Sequence, residues 1–183
     1  MPSPQIHIRH MHRKTIKKEA KKSMNKEMVS SLLNKVVKID RGGPESSIGL
    51  LLGAEDDHIT VLTEKDGIVY YRNDHIKSIT HATKNGMDFG ITALPEGFEY
   101  VKADNFKLTL EGLKYQWIQI NRGGPEKLEG VLDEINDDYI TVILNDEVVR
   151  VVMFHIRNVS YGLRVELEEE PEENTEAKKA KKD

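Results

Sequence analysis

Apolar and polar positions alternate over short runs through most of this chain, the period of two that reads as β-strand, and only two stretches fall at helical spacing. Met28, Val29, Leu32 and Leu33 follow Asn25, and Phe106, Leu110 and Leu113 follow Asp104 and Asn105. Each set predicts a short helix whose first turn is capped by the Asn or Asp side chain. Val37-Lys38-Ile39 and Ile118-Gln119-Ile120 then alternate, and Gly-Gly-Pro breaks each run into a turn. The apolar runs Ile48 to Leu52 and Leu128 to Leu132 predict second strands. Glu55-Asp56-Asp57 and Asn136-Asp137-Asp138 predict turns, because short polar side chains bond their own backbone there. Ile59 to Leu62 predicts a third strand, and Lys65-Asp66-Gly67 a hairpin into Ile68 to Tyr71. Ile76 to Ile79 and Ile156 to Val159 predict short closing strands.

These elements come twice because the sequence does. Arg41-Gly42-Gly43-Pro44-Glu45 recurs as Arg122-Gly123-Gly124-Pro125-Glu126. At the same offset Gly49 meets Gly130, Asp56-Asp57 meets Asp137-Asp138, and Ile59-Thr60-Val61 meets Ile140-Thr141-Val142. One residue fewer then separates His75-Ile76 from His155-Ile156. A short helix followed by five strands, in a unit this small, predicts a strongly bent barrel. The expected fold is mainly β: two tandem SH3/Sm-like five-stranded small barrels, each preceded by a short α-helix, with charged flexible termini. The expected boundaries are a basic N-terminal arm at 1–24, repeat 1 at 25–83, a linker at 84–103, repeat 2 at 104–163 and an acidic, lysine-rich tail at 164–183. Ile91, Phe98 and Tyr100 predict that the linker packs on a barrel.

Composition narrows the chemistry. The 183 residues hold no cysteine, which excludes disulfides, thiolate metal sites, iron–sulfur clusters and cysteine nucleophiles. No run approaches the ~20 apolar residues of a membrane span, and charges stand where a signal peptide would be apolar. The expectation is a protein made in the cytosol, without membrane insertion. The net charge of −4 is segregated: in residues 1–27 eight Lys and Arg face only Glu19 and Glu27, whereas from Glu166 to Asp183 eight acids face four lysines. A basic head and an acidic tail on an acidic body favour head-to-tail attraction between copies, or a nucleic-acid grip by the head.

The paired Arg-Gly-Gly-Pro-Glu loops are the candidate interaction loops: Arg41, Gly42, Gly43, Pro44 and Glu45, with Arg122, Gly123, Gly124, Pro125 and Glu126. Two glycines expose backbone N–H groups and an arginine forks onto a carboxylate or phosphate. The structural alternative is a plain turn in which Arg41 pairs with Glu45. Arg41 and Arg122 are expected to pair outside their own turns. His75 and His155 lack a repeated partner and read as satisfied histidines. Asp56-Asp57-His58 reads as a turn, since its counterpart ends in Tyr139. With no nucleophile motif, zinc helix or phosphate loop, the expectation is no enzyme, no cofactor and no metal. Open barrel edges invite pairing with another copy, so a homo-oligomer is expected. The alternative, a tandem Sm-like RNA-binding protein, would use the basic head with Tyr70, Tyr71 and Arg72. Because the body is acidic, nucleic acid is the less favoured partner.

Taken together, Asn/Asp-Arg-Gly-Gly-Pro-Glu, a glycine four residues on, Asp-Asp-x-Ile-Thr-Val and a closing His-Ile-Lys/Arg-x-Ile/Val resemble the spore coat protein B family of Bacillus-type endospore formers. The resemblance covers about residues 25–163, and Trp117 to Glu126 is its most specific stretch. It implies a structural protein made in the mother-cell cytoplasm and deposited on the outer layers of the spore coat, with other coat proteins as partners and no cofactor or active site. Longer members of the family carry a Ser/Lys/Arg-rich C-terminal region that a coat kinase phosphorylates. Here Thr175 is the only hydroxyl of the tail from Glu166 onward.

Overall fold

The computed structural model describes residues 24–84, 87, 90 and 98–162. The basic arm, the tail and Ile91 lie outside the described residues, apart from Met24 at the end of the arm. Ten strands form one antiparallel sheet with few helices beside it. Unit 1 consists of α1 (Lys26–Ser30), β1 (Val36–Ile39), β2 (Ser47–Ala54), β3 (His58–Thr63), β4 (Gly67–Arg72) and β5 (Ile79–His81). Unit 2 repeats the plan with α2 (Phe106–Gly112), β6 (Trp117–Ile120), β7 (Leu128–Ile135), β8 (Tyr139–Leu144), β9 (Glu147–Val152) and β10 (Asn158–Tyr161). The strand order is β5-β1-β2-β3-β4-β10-β6-β7-β8-β9. Within each unit the fifth strand therefore lies beside the first.

Local chemistry accounts for these elements. Asn25 and Asn105 cap the two helices, accepting from the backbone N–H groups of Glu27 and Leu108 respectively. Of the predicted apolar face of α1, Val29 and Leu32 are buried while Met28 and Leu33 are exposed. Both second strands carry a bulge, between Leu51 and Gly53 and between Leu132 and Glu134, which bends the strand. Gly49 and Gly130 stand where the neighbouring strand comes closest: an added Cβ would meet the carbonyl of Leu62 or Ile143.

Both closing strands begin later than the sequence predicts, and the first is also shorter. Asn73–His75 and Met153–His155 form 3-10 turns, and pairing begins only at Ile79 and Asn158. The reason sits at the start of the paired loops. Asp40 and Asn121 both adopt φ near +52°, which short polar side chains tolerate, and their side-chain oxygens accept from the N–H of Lys77 and Arg157 at 2.8 Å. Those N–H groups are bonded to a side chain and are unavailable to a ladder.

Two apolar clusters fill the molecule. One lies wholly within unit 1 and includes Val37, Ile39, Leu51, Ile59, Val61, Val69 and Tyr71. The other is the core of unit 2, around Leu110, Leu113, Ile118, Ile120, Leu132 and Val142, and it also takes in Leu62, Ile68 and Tyr70 of unit 1. β4 thus feeds both clusters, one from each face. Phe98, Tyr100 and Val101 of the linker pack against the second, as predicted for two of them. Among the described residues no helix is long and apolar enough to cross a membrane.

Candidate assembly site at the junction of the two units

The candidate loops sit where unit 1 meets unit 2. β4 and β10 pair antiparallel, with Tyr71 opposite Asn158, Tyr70 opposite Val159, Val69 opposite Ser160 and Ile68 opposite Tyr161. The Arg72 N–H extends the ladder by donating to the Arg157 carbonyl at 3.0 Å.

The second loop folds across this ladder onto unit 1. Arg122 is buried, its Nε donates to Asp66 Oδ2 at 2.6 Å, and its guanidinium donates to Tyr71 Oη at 2.9 Å. A further, longer bond reaches the Glu45 carbonyl. Gly123, at φ +77°, lies so close to the first loop that a Cβ there would run into the Pro44 carbonyl. Arg157 forms an ion pair with Glu45, and Lys77 also approaches that carboxylate. The two Arg-Gly-Gly-Pro-Glu loops therefore interlock: Pro44 and Glu45 of the first meet Arg122, Gly123 and Gly124 of the second. The cross-turn pair of Arg41 with Glu45 does not form. Arg122 pairs outside its own turn, whereas Arg41 is exposed without a hydrogen-bonding or charged partner among the described residues. Gly42 has open space around it, Gly43 takes φ +86°, and Pro125 and Glu126 are exposed.

A second set of contacts seats α2 on unit 1. The Asp57 carboxylate accepts from the Phe106 N–H at 3.0 Å and lies 2.8 Å from His58 Nδ1, while His58 Nε2 lies 3.2 Å from Thr109 Oγ1. His58 is buried, so Asp57-His58 is a clamp on the following helix, which a turn reading of Asp-Asp-His misses. Burial raises the Asp57 pKa, but the hydrogen bonds from His58 and Phe106 outweigh it and leave the carboxyl below its ordinary value. A depressed carboxyl stabilises the fold above the unfolded-state pKa and loses that contribution as pH falls through the folded one. The urea midpoint of Asp57→Asn is accordingly expected to lie below that of the natural chain at pH 7, with the gap closing below about pH 4. A gap unchanged down to pH 2 would count against the clamp.

His75 lies 3.1 Å from the Phe154 carbonyl across the junction, and His155 is exposed. The aromatic platform imagined for RNA is not available. Tyr70 is buried, donates to the Val101 carbonyl and accepts the Val101 N–H, and its burial raises the phenol pKa. Tyr71 is buried against Arg122. Arg72 donates to the Met153 carbonyl at 2.6 Å and to Asp74. Among the described residues no three His, Asp or Glu side chains converge on a site that could hold a metal ion.

The chain is similar to spore coat protein B of Bacillus subtilis (strain 168), at 36% identity over 148 residues, which is 80% of this chain. It spans 38% of the length of that relative. No family model matches the sequence, and no solved structure matches the fold.

Proposed function

We propose, on the premise that this chain is a relative of the spore coat protein B family, that it is a structural, non-enzymatic component of the bacterial endospore coat. It acts by self- and hetero-association through sheet edges, the Arg-Gly-Gly-Pro-Glu loops and its charged ends, with other coat proteins as partners. Synthesis takes place in the mother cell and deposition on the outer layers. One observation carries the reading: the 148 matched residues exceed the length of either unit, so the similarity reaches into both repeats.

The architecture supports it. We read each unit as a small SH3/Sm-like barrel, 25–83 and 104–163, because the fifth strand returns beside the first and a bulge bends the second strand of each. A sheet that already joins two such units edge to edge can be extended by the same means. A fluorescent fusion expressed in sporulating cells is expected to gather as a shell around the developing spore. A uniform signal through the mother cell at all stages would reject the coat role.

A further inference from the structure

We propose that the two edges of the sheet that no strand of the described residues covers are the two halves of a single kind of joint, so that β9 of one copy of this chain pairs with β5 of a second copy as β4 pairs with β10. This deepens the coat reading and depends on it only for its biological setting.

The repeat fixes the register. Val69 of β4 corresponds to Val149 of β9, since each pairs with the equivalent valine of its third strand, and Ile79 of β5 corresponds to Val159 of β10, since each pairs with the equivalent isoleucine of its first. Carried to the free edges, the internal pairing sets Ser78 opposite Val151, Ile79 opposite Arg150, Thr80 opposite Val149 and His81 opposite Val148 of the neighbour.

The side chains that lock the internal joint have counterparts waiting at the free edges. Arg122 on Asp66 becomes Arg41 on Asp146 of the neighbour, and both are exposed with no partner among the described residues. Arg157 on Glu45 becomes Lys77, whose exposed ammonium lies 3.8 Å from Glu45 in its own chain, on the neighbour's Glu126, again opposite in charge. Gly123 against Pro44 becomes Gly42 against Pro125, which gives a reason for a glycine that lacks positive φ and whose added Cβ would meet nothing among the described residues. Thr109, buried against His58, becomes Met28, now 46% exposed, against Tyr139.

The space is present as well. In unit 1 the pocket between Asp40, Glu45, Tyr71 and His75 is filled by Arg157 and Asn158, leaving about 10 Å³. The equivalent place in unit 2, lined by Asn121, Glu126, Val151 and His155 among others, is an open groove of about 690 Å³. Lys77 and Ser78 of a second copy correspond to the residues that fill it in unit 1. β9 itself leaves Val148 and Val152 57% and 53% exposed, where β4 is buried along almost its whole length. Apolar side chains on an open strand edge favour strand addition.

The absence of cysteine makes the register testable in the full chain. The Arg72 N–H donates to the Arg157 carbonyl, which marks that position as hydrogen-bonding, so Val69 and Ser160, three residues along, fall at a non-bonded position where Cα atoms lie about 4.5 Å apart. Thr80 and Val149 inherit that position, within disulfide reach. Mixing Thr80→Cys protein with Val149→Cys protein under mild oxidation is expected to give a disulfide dimer, and the double variant a ladder. Replacing Val149→Cys by Val151→Cys, two residues out of register, should give none. Arg41→Glu on the first partner should remove the dimer, and Asp146→Arg on the second should bring it back. Matching thermal melts of every variant establish that they fold. No dimer at any concentration, like-with-like links as frequent as mixed ones, or a dimer indifferent to Arg41→Glu would each overturn the joint. A chain that reaches the spore shell without linking loses the joint and keeps the coat role, and one that links but stays diffuse does the reverse.

Discussion

Arg122→Ala is expected to destabilise the folded chain by about 3 kcal/mol, the cost of breaking one side of a largely buried ion pair. The side chain is buried, and its removal strands the Asp66 carboxylate at 21% exposure and takes one hydrogen bond from the buried Tyr71 hydroxyl. It also takes away a bond to the Glu45 carbonyl, so the two units lose contacts at one end of their ladder. Arg41→Ala, at the equivalent position of the first repeat, is expected to change stability by no more than about 0.5 kcal/mol, because that side chain is exposed and has no hydrogen-bonding or charged partner among the described residues. Urea unfolding of the two variants checks the contrast. Adding Asp66→Ala to Arg122→Ala should cost less than the sum of the single changes, since the second removes the charge the first leaves unpaired. Equal effects at Arg41 and Arg122 would remove the distinction between a filled and an unfilled site.

Gly123→Ala is expected to be about as damaging, near 3 kcal/mol, from two sources of similar size. One is the left-handed backbone at φ +77°, unfavourable for any residue with a Cβ, and the other is overpacking against the Pro44 carbonyl. That carbonyl belongs to backbone of the other unit, so relief requires the loops to separate. Gly42→Ala meets neither obstacle and should lie within about 0.5 kcal/mol of the natural chain. Amide exchange distinguishes local strain from a loosened junction: in Gly123→Ala the Arg72 N–H, bonded to Arg157 across the ladder, should exchange faster, while amides of β1 and β2 keep their protection. Uniform loss of protection throughout unit 1 would place the damage elsewhere.

Most elements were legible because their causes are local. Asn25 and Asn105 cap what they were expected to cap, and the hairpin at Lys65-Asp66-Gly67 turns on a glycine at φ +64°. The closing strands were misplaced because their start depends on Asp40 and Asn121, some 36 residues upstream, capturing backbone N–H groups. The junction was not legible, since a repeated sequence describes each unit alone and alternation says nothing of which edge meets which. A signal was present all the same. Ile68-Val69-Tyr70-Tyr71 is apolar at every position, the mark of a strand covered on both faces, while its counterpart Val148-Val149-Arg150-Val151 is interrupted by a charge. The interlock of the loops was half legible: the arginines were expected to reach beyond their turns, but the sequence alone could not assign Arg122 to Asp66 and leave Arg41 free.

Because β4 lends one face to each apolar cluster, the order of synthesis matters. Chains emerge N-terminus first at about 5 to 20 residues per second, so about 5 to 20 seconds separate Arg72 from Tyr161 on the ribosome. From the emergence of β5 onward unit 1 is complete in sequence, yet Leu62, Ile68 and Tyr70 await the cluster that will bury them, and the β4 edge awaits β10. Phe98, Tyr100 and Val101 emerge early in the gap and pack against that same cluster, with Val101 bonded to the Tyr70 hydroxyl. The linker thus follows unit 1 off the ribosome carrying its own contact to the Tyr70 hydroxyl, ahead of the strand that completes the β4 edge.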